Sequence, residues 1–186
     1  MTRIIEILRE EHRNIEELLL VLEQELRVFD REERPDYEII NAIISYFQDY
    51  PDCCHHPKEN MIFEKLKVRD SFAAESVGDL EMEHLNERKR LQRVHEMIRR
   101  ILTNHEGPRQ TFDDTVRDFI EQERKHMAME ERVLFSAAVS ALQPEDWAGI
   151  DAGWGETRDS MFNVAIEERC QSIRERILHW QQESQH

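Results

Sequence analysis

Tyr46-Phe47-Gln48-Asp49-Tyr50-Pro51-Asp52-Cys53-Cys54-His55-His56-Pro57-Lys58-Glu59-Asn60-Met61-Ile62-Phe63 begins and ends apolar and holds two histidines and a glutamate within five residues. His55 and Glu59 are four apart, so a helix projects them from one face. An imidazole and a carboxylate offered together beside core residues suit a borderline divalent metal such as iron, manganese or zinc. His/Glu pairs at this spacing also occur on solvated surfaces. Whether the stretch is half of a site therefore depends on what the rest of the chain offers.

The second half lies in Lys125-His126-Met127-Ala128-Met129-Glu130-Glu131-Arg132-Val133-Leu134-Phe135, which repeats the order histidine, spacer, glutamate, apolar residues ending in Phe. Two lone histidines precede these stretches. His12 follows Glu11 on a seam of Ile5, Leu8, Ile15, Leu19, Leu22, Leu26 and Phe29, with Glu11 expected to point away from it. His84 follows Glu83 on a seam of Leu80, Leu91, Val94, Ile98 and Ile101. Each seam alternates in steps of three and four, the pattern of a helix packed at a shallow angle against others. The chain thus reads as an internal duplication: a lone histidine on one helix, then His-x-x-x-Glu on the next, twice.

The predicted elements follow from these seams. A first helix spans about Thr2 to Phe29, and Asp30 to Pro35 is a turn. A second helix runs from Pro35-Asp36 to about Val68, bent where Pro51 and Pro57 remove backbone donors. Arg69 to Gly78 is expected to be a loop. The third helix carries the His84 seam, Asn104 to Gln110 ends it, and the fourth spans about Thr111 to Leu142. Beyond it, Pro144 to Trp147 starts a short helix, Gly149 to Gly155 is a loop, and a last helix runs from about Glu156 to Gln182. Its apolar side passes through Phe162, Ala165, Ile166, Ile173, Ile177 and Trp180. The predicted fold is all-α: an up-down-up-down four-helix bundle over residues 1–142, with a C-terminal helical extension, 143–186, packed on the bundle or on a second subunit of a homodimer.

Composition agrees. Only 5 Gly and 5 Pro in 186 residues favour long helices over a turn-rich β fold. A net charge of −15 disfavours nucleic acid and anionic membrane surfaces as partners. No run approaches the ~18 apolar residues of a membrane span, and three cysteines including an adjacent pair form no disulfide framework. These features predict a soluble cytoplasmic protein. Cys53 and Cys54 are read as small residues at a bend, and His95, His105, His179 and His186 as surface histidines. The proline bend leaves the register of the opening stretch open, because His56 is three residues from Glu59. The intact spacing of His126 and Glu130 favours His55.

Leu8-Arg9-Glu10-Glu11-His12-Arg13, His55-His56-Pro57-Lys58-Glu59, Glu83-His84 and His126-x-x-x-Glu130-Glu131 with Val133-Leu134-Phe135 together resemble the hemerythrin family, in its bacterial branch with the His-His-Glu cation-binding domain. The resemblance implies two non-haem iron ions held by His12, His55, Glu59, His84, His126 and Glu130, with Glu59 and Glu130 bridging and an oxo or hydroxo group completing the bridge. It implies a protein that binds or senses dioxygen or a related small oxidant (nitric oxide or peroxide). The alternatives are an enzyme consuming peroxide or nitric oxide, and a donor of iron to damaged iron–sulfur centres. Oxygen-carrying relatives have a further histidine one turn after the one matched by His84. Here that position is Arg88, which moves the expectation from simple oxygen carriage toward sensing, redox reaction or iron handling, with Glu87 or a water as substitute ligand. Tyr46, Tyr50, Glu87 and Glu123 are candidates for the surrounding polar shell.

Overall fold

The computed structural model describes residues 2–103, 109–158 and 161–183, and among them there is no strand. The helices are α1 (Arg3–Asp30), α2 (Tyr37–Tyr50), α3 (His56–Arg69), α4 (Ser71–Val77), α5 (Leu80–Leu102), α6 (Arg109–Met129), α7 (Phe135–Ala141), α8 (Pro144–Arg158) and α9 (Met161–Glu183). A π turn over Pro51–His55 joins α2 to α3, and another over Glu130–Leu134 joins α6 to α7. The α2–α3 and α6–α7 rods are therefore each continuous but widened once. Among the described residues no helix is long and apolar enough to cross a membrane.

Starts and stops have local causes. The Asp36 side chain accepts the amides of Glu38 and Ile39 at the start of α2. Asp70 and Asp79 cap α4 and α5 in the same way, through Ala73 and Met82. Gly78, at φ 86°, makes the turn between those two helices, a conformation only glycine adopts freely.

The seams pack α1 against α2 and α6, and α5 against α2, α3 and α6. The buried apolar residues separate into two clusters. The larger holds Ile15 to Phe29 of α1 with the inner faces of α2, α5, α6 and α9. The smaller holds Ile4, Ile5 and Leu8 with α3, α4, α7 and α8. On α1 the boundary falls between Leu8 and Ile15, at His12. The polar residues that carry the chemistry are a layer between two oily ends.

Two segments differ from their expected form. Residues 71–77 form helix α4 rather than a loop, because Asp70 caps it and Ala74 and Val77 are buried. Residues 149–155 continue α8, since Ile150 is buried and Trp147 and Trp154 pack on the smaller core cluster. Tertiary burial outweighs the weak helix preference of its glycines. The Asn104–Gln110 turn lies largely outside the described residues, as do His105 and His186 and the side chain of Phe162. The last helix packs chiefly on α2, burying Cys170 and Ile177, while Ala165 is exposed. Arg169 pairs with Asp49 and Arg174 with Glu17, which fasten it to α2 and α1.

Candidate metal centre

The π turn Pro51–His55 closes with the His56 amide donating to the Pro51 carbonyl, five residues back. Pro51 and Pro57 bracket it, and neither can donate to a regular helical ladder. Lys58 turns its ammonium back onto the Cys54 carbonyl. The second π turn closes likewise, from the Phe135 amide to Glu130, without a proline. Widened turns of this kind are frequent at functional sites.

His55 precedes Glu59 by four residues and His56 by three. At 3.6 residues per turn Glu59 then sits about 40° from one and about 60° from the other, between them. Both imidazoles are buried, one on each side of the carboxylate. His12, His55, Glu59 and Glu130 form one cluster, and His56, His84 and His126 a second, each with its donor atoms within 4.8 Å of one another.

The two glutamates face both clusters. Glu59 places Oε1 3.6 Å from His12 Nε2 and 3.3 Å from His55 Nε2, and Oε2 3.5 Å from His84 Nε2. Glu130 places Oε2 3.3 Å from His12 Nε2, and Oε1 3.0 Å from His126 Nε2 and 3.6 Å from His84 Nε2. Both residues are fully buried, yet none of their four oxygens has an aligned hydrogen-bond partner, nor do His84 Nε2 and His126 Nε2. Such orphaned buried groups are costly unless a cation compensates them.

The outer nitrogens of three histidines are held by carboxylates. His12 Nδ1 lies 3.0 Å from Glu131 Oε1, His55 Nδ1 2.9 Å from Glu11 Oε2, and His56 Nδ1 3.2 Å from Asp52 Oδ1. An Nδ1–H donating outward leaves the Nε2 lone pair pointing inward. His12 Nε2 and His55 Nε2 are 3.2 Å apart. Two lone pairs at that distance repel unless a metal ion or a proton lies between them. The donor set and its orphaned atoms fit a pair of cations with bridging carboxylates.

Without a metal ion, the surroundings favour protonated imidazoles. Burial alone favours neutral imidazole, but the charges of the neighbouring carboxylates outweigh it. They raise His12 and His56 to about 10 and His55 to about 9. For Glu59 burial favours the neutral acid, but His55, His12 and His84 hold it well below the carboxylate range.

The surrounding shell contains residues that sequence reasoning did not supply. Glu11, expected to point away, is buried; its Oε1 accepts from Lys58 Nζ at 2.5 Å and from the Tyr50 hydroxyl at 3.0 Å. Lys58 is itself buried and lies 4.5 Å below the Trp154 ring of α8. Asp52 and Glu131 also escaped, because each looks like an ordinary surface charge. Lys58 and Glu131 had a weak signal: each adjoins a proposed ligand of its own helix or its neighbour.

Of the four shell candidates, Tyr50 bonds Glu11, and Tyr46 stacks on Tyr50 in the larger apolar cluster. Glu87 Oε2 lies 3.1 Å from His56 Nε2 and 3.8 Å from His126 Nε2. Glu123 is buried, and burial with the nearby Glu87 charge pushes its carboxyl well above the usual carboxylate range. Arg88 is not in either cluster; it donates to Asp52, which also contacts His56. Cys54 is buried, which pushes its thiol up, and Cys53 donates to Asn163 Oδ1 at 3.0 Å; neither belongs to the two donor clusters. His179 is exposed, and His95 is half-buried rather than on the surface.

A family model described as the Hemerythrin HHE cation binding domain matches residues 3–138 of this chain. No curated protein and no solved structure gives a match.

Proposed function

The chain belongs to the hemerythrin HHE cation-binding domain family, and from that premise we propose that it is a non-haem di-iron protein that binds or senses dioxygen or a related small oxidant. Four principal rods, α1, α2–α3, α5 and α6–α7, run up-down-up-down around the centre. His12 and His55 would hold one iron and His56, His84 and His126 the other, with Glu59 and Glu130 as the carboxylates facing both. The observation that carries the proposal is that all four oxygens of these two buried glutamates lack hydrogen-bond partners while facing five inward histidines. A structural polar layer would satisfy its own donors and acceptors.

Imidazole and carboxylate donors favour iron within the borderline metals, and the iron pair supplies the redox chemistry. The protein's residues supply the rest. Glu131, Glu11 and Asp52 fix three imidazole tautomers. Phe135 lies stacked on His12 at 5.6 Å between ring centres and keeps water from that side. Burial and the Glu87 charge push Glu123 toward its protonated form. The family's further histidine would be the fifth; with Arg88 in its place, His56 supplies the third imidazole of the second cluster.

Metal analysis of protein from iron-replete cells, with optical spectra of reduced, aerobic and peroxide-treated samples, tests the proposal. Two irons per chain and ferric charge-transfer bands that return on reoxygenation are expected. Net consumption of peroxide or nitric oxide, or transfer of iron to an acceptor, selects the enzymatic or repair alternative. Less than one iron per chain defeats the di-iron assignment.

A further inference from the structure

A cavity of about 610 Å³ opens between α3 and α5, with Asp52, His56, Asn60, Asp79, His84 and Arg88 among its lining. A second, of about 240 Å³, shares Asp52, His56 and Arg88 with it and adds Glu87. Arg88 Nη1 donates to Asp52 Oδ1 at 2.7 Å, and the same oxygen lies 3.2 Å from His56 Nδ1. The ion pair therefore lies in the wall common to both cavities, and it reaches a histidine of the second cluster.

The first cluster is placed differently. His12 and His55 line neither cavity. The ring of His12 is covered by Phe135, and the outer side of His55 is filled by Glu11, which Lys58 and Tyr50 hold in turn. Only the second cluster meets the cleft.

The cleft's charge selects what it admits. Asp52, Asp79 and Glu81 outnumber the cations of the lining, Arg88 and, without metal, protonated His56, so the mouth is net negative and focuses positive charge. Asp79 is also engaged at the helix start by the Met82 amide, at 3.0 Å. Independently of these acids, His84 is 2% exposed, lines the cavity, and has an Nε2 without a hydrogen-bond partner.

Resting on the two-metal proposal above, we infer that this cleft is the route by which a hydrated first-row divalent cation reaches and leaves the centre. The position at His56, His84 and His126 exchanges first. The position at His12 and His55 exchanges only through it, and the Arg88–Asp52 pair narrows the passage.

The test uses the full chain loaded anaerobically with two ferrous ions and then mixed with excess ferrous chelator. Release in two phases of equal amplitude is expected. Arg88→Ala speeds the first phase about two- to fivefold, the range an exposed ion pair accounts for. Leu85→Trp slows both phases, because the inner ion leaves by the same passage. Leu85 and Met82 are 36% and 47% exposed and both line the cavity, so tryptophan at either position leaves the core intact, and Met82→Trp serves as the second obstructing variant. Both irons leaving in one phase, or wild-type rates in both tryptophan variants, overturns the route. Loading below one iron per chain, measured before chelator is added, defeats the two-metal proposal instead.

Discussion

His55 and His56 are neighbours in the chain but belong to different halves of the centre, with Glu59 between them. Alanine at either position is expected to lower bound metal from two ions per chain to about one, since removing one donor weakens a single position most. The two variants should leave different ions behind, separable by the spectrum of the remaining metal. Equal wild-type loading in His56→Ala would exclude His56 as a ligand. The imidazoles also set a pH dependence. His12, His55 and His56 have folded-state values of about 10, 9 and 10, above the ordinary 6.5. Their protonation stabilises the metal-free fold fully below pH 6.5, and that stability is lost as pH rises through about 9 to 10. Metal binding displaces the same protons and strengthens over the same range. The thermal midpoint of metal-free protein is expected to fall between pH 6.5 and 10 while that of loaded protein holds. Loading at pH 7.5 in weak buffer should release protons, measurable by pH-stat.

At the scale of elements, the π turns place consecutive or distant residues on one inner face. The first has an evident cause in Pro51 and Pro57; nothing in the local sequence Glu130–Leu134 explains the second. Helix α8 lies beyond residues 3–138 yet reaches the centre through Trp154, Lys58, Glu11 and His55. Trp154→Ala removes the ring from a buried ammonium, an interaction worth ~0.5–2 kcal/mol. It is expected to lower the thermal midpoint and to loosen the metal held by His12 and His55, while Trp154→Phe retains most of both. Unchanged metal content in Trp154→Ala would confine α8 to packing.

Across the whole molecule, the core is two apolar clusters separated by a polar layer. In that layer the metal ions would compensate buried carboxylates that otherwise depend on protonated histidines. A ligand that binds only the folded state stabilises it by about 4 kcal/mol at a thousand times its Kd. Chelation is therefore expected to lower the thermal midpoint by several degrees, read by calorimetry with and without chelator. An unchanged midpoint would mean that the layer is self-sufficient.

The sequence by itself determined the helical class, the duplicated half-sites and the inward histidines. Residues three and four apart on a helix must share a face, and apolar seams must be buried. His12, His55, Glu59, His84, His126 and Glu130 were legible on that ground as inward-facing residues, and the structure brings all six into or against the two clusters. Only the tertiary structure decided that His56 joins His84 and His126, that Glu11 turns inward to His55, and that Lys58 is buried under Trp154. It also decided that 71–77 and 149–155 are helical. Each of these depends on what packs across from the residue, on a partner 28 to 96 positions away, or on burial that overrides a local preference. Periodicity gives the direction of a side chain from its own helix; only packing gives the partner at the end of it.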